Sequence, residues 1–452
     1  MGFAQPETRE QLCGNDYGWL LDAARSAAER GEPGPPVSLV IPVYDRRRML
    51  GRTLAALTHQ TWPRERMQIV IADDGSRDGI EEVIDRYRGA FDLLHVRQED
   101  RGFRLARVRN LAIRAARHDA IVQLDCDCMP VPGLVEAYAR LLAASDRAVL
   151  FGLRRYVDAE ALDEPAILAD PGRFLALPDV PGRTDWRAAD LAASDGLRRS
   201  SRPYRCVVGC NLALHRGTIE ALGGYGEAFE AWGREDTELG YRLQNAGGYF
   251  VPVAAASVLH QEPPGGAAEA EAQRDAGRRR TDPLFLERCP LSRSDRSRTY
   301  EVPLLAVLLP VEAAETMARA LRRQTLRDLA IIPVRDGCED AAIAGCDAPY
   351  FARVPADAAL APELLARLVE TLHEAPEGAL ILDEAPAAQR ATWDAAEPPA
   401  LRAWLDGRIL LFRKRHWSRA RWLAGPDRAL THLARVTALR VVGPQAFRGE
   451  PA

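Results

Sequence analysis

Asp125 and Asp127 stand one residue apart just where a mostly apolar run, Ala120 to Leu124, gives out. In extended chain, residues two apart share a face, so the two carboxylates can address one ion or one phosphate together. Hard anionic oxygens of this kind suit Mg2+ or Mn2+, which bind through one or two carboxylates plus substrate phosphates. An isolated pair with this spacing is more often a strand running into a polar turn. Its weight therefore depends on what else reaches the same place.

Other clusters have chemical potential. Tyr44-Asp45 and Asp73-Asp74 each follow an apolar run, and Arg104 and Arg109 lie around the start of a helical pattern. Trp232-Gly233 sets a large apolar platform beside a residue that permits close backbone approach, and the acids Glu235 and Asp236 begin a helical stretch carrying Leu239 and Leu243. Acids at a helix N-terminus are stabilised by its dipole and are common there, so that pair taken alone signifies a cap. His260 ends the last strand of the same region, and a lone histidine is more often satisfied by hydrogen bonds than a ligand. Among the eight scattered cysteines, Cys126 with Cys128 and Cys206 with Cys210 do not make a standard zinc-finger spacing. Small buried thiols are expected instead.

These residues need a frame, and the chain from Val37 alternates strand and helix. Val37 to Val43 is an apolar run of the kind buried in a parallel sheet, with Pro42 marking its end. A helix from Arg46 to Gln60 carries Leu50, Leu54 and Leu57 on one face, and Gln68 to Ala72 is the next strand. Helix Gly79 to Tyr87, strand Phe91 to Val96 and a helix bearing Leu105, Val108 and Ala112 lead to the strand that ends at Asp125. Parallel strands need such crossovers, and ligands of open α/β sheets gather beyond the carboxyl ends of the strands. Tyr44-Asp45, Asp73-Asp74 and Asp125 to Asp127 all fall at such ends, so one edge is expected to collect three polar clusters.

Further along, Tyr156 to Tyr204 is predicted to be a long irregular insertion, of the kind that often forms functional lids. The predicted organisation is an N-terminal helical extension over 1–35, a catalytic α/β domain over 36–263, a helical linker over 264–300, and a second α/β domain over 301–452. That last part echoes the first. Pro303 to Val311 resembles Pro36 to Val43, Leu321 to Thr325 resembles Leu57 to Thr61, Ile331 to Gly337 resembles Ile69 to Gly75, and Gly407 to Arg413 resembles Gly209 to His215. Leu380 to Glu384 is expected in the place of the Asp-x-Asp, and Pro426 to Arg428 where Glu235-Asp236 should recur. A duplicated, shortened domain without a metal site is inferred.

At 452 residues two or three domains are expected, and the net charge of −4 gives no reason to expect nucleic acid. The start lacks a basic segment followed by an apolar one, so no secretory signal is expected, and no apolar run is long enough to span a bilayer. The expected compartment is the cytoplasm.

Taken together, Val40 to Tyr44, Ala72 to Ser76, Gly102 to Arg104 with Arg109-Asn110, Leu124 to Asp127, and Trp232 to Asp236 stand in an order that resembles family 2 inverting glycosyltransferases with the GT-A fold. The stretch from Trp232 to Asp236 is similar to the galactosyltransferase-type half of bacterial chondroitin-polymerase-like enzymes. The resemblance implies a Rossmann-like mixed sheet of the nucleotide-diphospho-sugar transferase kind, followed by a degenerate GT-A-like copy. It also implies transfer from a UDP-sugar carrying galactose, N-acetylgalactosamine or N-acetylglucosamine to a glycan or lipid-linked acceptor. Cell-surface polysaccharide synthesis at the inner membrane face, with peripheral contact there, follows from resemblance alone.

Residue by residue, the resemblance implies that Pro42, Val43, Tyr44, Asp45, Asp73 and Asp74 line the uridine pocket and that Arg104 and Arg109 steady the nucleotide or its phosphates. Asp127 would ligate Mn2+ or Mg2+, Asp125 would meet ribose or metal, and His260 stands where a later metal ligand is often found. Asp236 matches the catalytic base, Glu235 holds acceptor hydroxyls, and Trp232 and Gly233 complete the acceptor side. Arg234 departs from the small residue or glycine usual before the acid pair. Three other readings are a sugar-nucleotide pyrophosphorylase, which normally has a glycine-rich loop after the first strand where Tyr44 to Arg48 has none, a receiver-type regulator, which accounts for acidic pairs at strand ends but not for the length or for Trp232 to Asp236, and a non-catalytic glycan-binding protein.

Overall fold

The computed structural model describes residues 3–6, 11, 14–262, 267–335, 337–358, 360–374, 379–382, 409–424 and 439–442. It divides into two units. The first takes in Tyr17–Leu243 and Tyr249–Phe285, and the second is formed mainly by residues from Leu286 onward.

In the first unit, α1 (Gly18–Glu29) buries Trp19 edge-on against Tyr249, so the N-terminal helix is part of this unit's packing. The strands are β1 (Val37–Val43), β2 (Met67–Asp73), β3 (Asp92–Arg97) and β4 (Ala120–Leu124), joined by α2 (Arg47–Leu57), α3 (Ile80–Tyr87) and α4 (Leu105–Ala115). Every residue of β1, β2 and β4 is buried, because apolar runs without alternation suit strands covered on both faces. Each such Val, Leu or Ile contributes roughly 1.5–3 kcal/mol by leaving water. Pro42 does not end β1: the strand continues to Val43, which pairs with Asp73.

The rest of the unit comprises β5 (Cys128–Pro130), α5 (Leu134–Leu142), β6 (Ala148–Phe151), β7 (Arg154–Val157), α6 (Glu164–Ala169), α7 (Gly172–Leu175), α8 (Arg187–Ala193), β8 (Asn211–His215), α9 (Arg216–Ala221), α10 (Glu235–Asn245), β9 (Tyr249–Pro252), β10 (Val258–Gln261) and α11 (Ala267–Arg288). The main sheet runs β3-β2-β1-β4-β8-β6-β9, parallel except where β8 opposes β4 and β6. A small sheet, β5-β10-β7, stands beside it. This is the mixed, parallel-rich α/β arrangement expected of the GT-A fold. The stretch from Tyr156 to Tyr204 is less irregular than its composition suggested, since α6 to α8 form within it. Glu164 accepts from Arg86 at 2.8 Å, and Arg187, fully buried, donates to Asp185 at 2.6 Å and to the Gly152 carbonyl.

The second unit contains β11 (Leu305–Pro310), α12 (Ala314–Arg322), β12 (Leu329–Val334), α13 (Glu339–Ala344), β13 (Tyr350–Arg353), α14 (Leu364–Glu374), β14 (Ala379–Leu382), β15 (Ile409–Arg413), α15 (Lys414–Ala424) and β16 (Leu439–Val442). Its sheet order is β12-β11-β13-β15-β14-β16. Taking β11 for β1, β12 for β2, β13 for β4, β14 for β6, β15 for β8 and β16 for β9, both order and strand directions repeat the first sheet. No counterpart of β3 occurs among the described residues.

Side-chain bonds repeat as well. Gln60 donates to the Val131 carbonyl at 2.8 Å and accepts from the Val135 amide at 3.0 Å, while Thr61 N–H reaches the Pro132 carbonyl. Gln324 donates to the Ala361 carbonyl at 2.7 Å and accepts from the Leu365 amide at 3.2 Å, while Thr325 N–H reaches the Pro362 carbonyl.

This register corrects one expectation. Leu380, in β14, pairs with Leu411 as Leu150 pairs with Ala213, so Leu380 to Leu382 stands for β6 and not for the strand ending in Asp125. Asp383 and Glu384, like Gly407, Asp336 and Pro426 to Arg428, lie outside the described residues. The true counterpart follows β13: Arg353 pairs with Leu308 as Gln123 pairs with Val40, which puts Pro355, Ala356 and Asp357 in the places of Asp125, Cys126 and Asp127. An apolar run followed by acids looks alike in either strand, and only pairing tells them apart.

Candidate active site

The carboxyl ends of β1, β2 and β4 bring the acidic clusters to one edge. At β1, Pro42 and Val43 are buried within the sheet, which removes their side chains from an open pocket. Tyr44 is exposed, and its hydroxyl lies 3.5 Å from Asp100. Asp45 takes a left-handed φ of 46°, which turns its carboxylate to accept from the Arg77 amide at 2.7 Å while its own amide donates to Ser76.

Asp73 and Asp74 divide their work. Asp73 is fully buried and accepts from the amides of Gly75 and Ser76 at 3.0 and 2.7 Å. Burial pushes its carboxyl up, but the nearby His95, hydrogen bonds from Ser76 and the Arg97 charge outweigh that and hold it low. Its Oδ1 thus fixes the turn, while Oδ2 is buried 3.4 Å from Arg97 and 3.5 Å from His95 without a hydrogen bond among the described residues. Asp74 accepts from Gln98 at 2.5 Å and from the Arg104 amide at 2.9 Å, and burial raises its carboxyl more than these bonds lower it.

Arg109 sits at the centre. It is 1% exposed and donates to Asp125 Oδ1 at 2.8 Å and to Glu235 Oε1 at 2.9 Å, with its guanidinium over the Tyr225 ring. Gly209 makes room for it: a Cβ there would lie 2.5 Å from the guanidinium. The expected contact of Arg109 with phosphate is thus replaced by a buried ionic bridge, because its fork is committed to two carboxylates. Glu235 is correspondingly withdrawn from the acceptor side. Burial and Asp236 raise its carboxyl to about 7, against the pull of Arg109, and Oε2 is buried without a hydrogen-bond partner among the described residues.

Asp236 is the more open acid of that pair. Its Oδ1 accepts from the Thr237 amide at 2.6 Å and its Oδ2 from the Gly209 amide at 3.2 Å. Just before it, Gly233 and Arg234 both have positive φ, 95° and 80°. For arginine this conformation costs about 1–3 kcal/mol and persists only where the surroundings impose it. Trp232 remains 39% exposed.

On the other side, β5 and β10 pair antiparallel with His260 opposite Cys128. Ligand atoms of Asp127, Cys128 and His260 all lie within 4.8 Å of one another, and His260 Nε2 is 3.7 Å from Asp127 Oδ1. His260 Nδ1 is buried without a hydrogen-bond partner among the described residues. The carboxylate oxygen and the imidazole nitrogen fit a divalent cation, while Cys128, which burial keeps as a thiol, donates to Asp127 Oδ1 at 3.5 Å. Burial raises the Asp125 carboxyl, Arg109 opposes this, and Asp127 adds to it.

Sequence reasoning missed Asp100, Gln98, Tyr225 and Gly209 as site residues and set Cys128 aside as a small buried thiol. Asp100 and Gln98 were legible as polar residues following a strand; the other three owe their places to long-range packing.

Residues 38–198 match the family described as glycosyl transferase family 2. The chain carries a family 2 glycosyltransferase domain. Residues 196–260, which include Trp232 to Asp236, match the N-terminal domain of galactosyltransferase. Chondroitin synthase of Escherichia coli is 33% identical over 325 residues, 67% of this chain and 47% of that protein. Chondroitin synthase of Pasteurella multocida is 32% identical, and hyaluronan synthase of the same species 30%, each over 72% of this chain and 36% of the relative. The chain thus spans less than half the length of these relatives. A solved structure of GalNAc-T7 with UDP, GalNAc and Mn2+ overlaps with a TM-score of 0.40 and 18% identity, over 55% of this chain and 48% of that one, too loosely to add to the argument. No described helix is long and apolar enough to cross a membrane.

Proposed function

We propose that the first unit is an inverting glycosyltransferase moving a hexose or N-acetylhexosamine from a UDP-sugar to a hydroxyl of a glycan or glycolipid. The observation that carries this reading is the Arg109 bridge, which joins the Asp-x-Asp to the acid pair of α10 at one sheet edge. The similarity to chondroitin and hyaluronan synthases supports a polysaccharide acceptor.

In this mechanism Tyr44, Asp45, Asp74 and Arg104 form the nucleotide side. Asp127 and His260, with Cys128 beside them, would hold Mn2+ or Mg2+. When bound, such an ion offsets the negative charge that gathers on a leaving diphosphate. Trp232 supplies an apolar face for the acceptor sugar, and Asp236 takes the proton from the attacking hydroxyl. Attack from the face opposite the leaving group, through an oxocarbenium-like transition state, inverts the anomeric centre in one displacement. Arg109 and Glu235 keep the two acidic groups at fixed separation.

The second unit we read as a degenerate copy without donor chemistry. Pro355 stands for Asp125, the acid that Arg109 bridges, while Asp357 keeps the place of Asp127. With proline at the first position the paired carboxylates are lost.

A panel of UDP-sugars with Mn2+ and UDP detection tests the reading. Slow donor hydrolysis that accelerates with a glycan acceptor supports it; turnover dependent on pyrophosphate would identify a pyrophosphorylase instead.

A further inference from the structure

Helix α11 begins beyond the region matched to the glycosyltransferase families, yet it lies directly on the Trp232 to Arg234 segment. A Cβ on Gly277 would stand 2.7 Å from Trp232 Cβ and 2.8 Å from its carbonyl oxygen, so the helix backbone touches the backbone that carries the indole. Glycine is unfavourable inside a helix, and close approach of another backbone is what requires it here. One turn on, Asp282 accepts from Arg234 Nε at 2.6 Å, and Phe285 lies under the same guanidinium at 4.9 Å. Arg234 is the residue held at φ 80°.

Arg278 and Arg274 approach the Trp232 ring at 5.4 and 5.9 Å. Both donate to Glu271, Arg278 also to Asp275, and Arg183 reaches Glu262 at 3.1 Å. With its arginines matched by carboxylates, this surface is a clasp and not a pocket for anions.

We propose that α11 is part of the acceptor site, with Gly277 and Asp282 as positioning residues that fix the Trp232 indole. Asp282 holds Arg234 in its left-handed conformation, and Gly277 lets the helix brace the strained loop from behind. This explains how an arginine occupies a position where a glycine would be unstrained: the ion pair and the Phe285 contact supply the restraint that glycine would not need. The assignment of Trp232 to the acceptor rests on the reading given under Proposed function; the clasp itself does not.

The test uses the full chain and the variants Asp282→Ala, Asp282→Glu, Gly277→Val and Arg234→Gly with Asp282→Ala. Acrylamide quenching of Trp232 is obtained by difference against the matching Trp232→Phe protein. KM for chondroitin and hyaluronan oligosaccharides is compared with KM for the UDP-sugar. Asp282→Ala is expected to make Trp232 more quenchable and to raise the oligosaccharide KM about tenfold, with the donor KM changed by less than about twofold, since small displacements of a positioning group act on its own substrate. Asp282→Glu should restore much of the loss. With Arg234→Gly present, Asp282→Ala should cost nothing more, because the strain it restrains is gone. Unchanged Trp232 quenching in both Asp282→Ala and Gly277→Val overturns the clasp, as does an equal rise in both KM values. If neither oligosaccharide is an acceptor, the acceptor reading fails by itself and the quenching result alone decides the clasp.

Discussion

Arg109 and Glu235, 126 residues apart in sequence, form a buried hydrogen-bonded pair with Nη1 2.9 Å from Oε1. The second nitrogen of the same guanidinium reaches Asp125. Breaking a buried pair from one side leaves a charge uncompensated, so Arg109→Ala should lower stability by about 3–5 kcal/mol. Urea unfolding measures this, and a midpoint unchanged from the parent would show that the bridge does not hold the site.

Glu235 gives the pair a pH signature. Its carboxyl binds a proton more tightly in the folded chain, at about 7 against the ordinary 4.5. Unfolding therefore releases a proton between those values, and the contribution to stability, fully present below the lower value, is lost as pH rises toward 7. Unfolding midpoints taken from pH 4.5 to 7.5 should fall less steeply in Glu235→Gln than in the parent.

Asp236→Asn should leave UDP-sugar binding nearly intact while lowering turnover about 10²-fold or more, since removal of a general base affects the transition state and not the ground state. A coupled UDP-release assay reads turnover, and near-normal rates would take the base role from Asp236.

Asp127→Ala should abolish Mn2+-dependent UDP binding in calorimetric titrations. His260→Ala should weaken it, because one of the clustered donors is lost. Titrations with Mn2+ identical to the parent would return His260 to a packing role.

Much of the frame was legible. The strands before Tyr44, Asp73 and Asp125 are short apolar runs between helical patterns, and their burial on both faces needs no knowledge of partners. That Asp73 Oδ1 holds the turn was not legible, because the amides of Gly75 and Ser76 converge on it only once the turn is folded. Leu380 was misjudged because register is a property of two strands, and a single strand does not contain it.

By itself, then, the sequence determined the alternation of elements, the acids at strand ends and the echo of the first half in the second, all of which depend on local period and spacing. Tertiary structure alone decided that Arg109 bridges Asp125 to Glu235, that Cys128 joins Asp127 and His260, that Pro355 and Asp357 stand for the metal pair, and that α11 braces Trp232. Each of these joins residues far apart in the chain, and such contacts are fixed by strand pairing and burial, which no local pattern encodes.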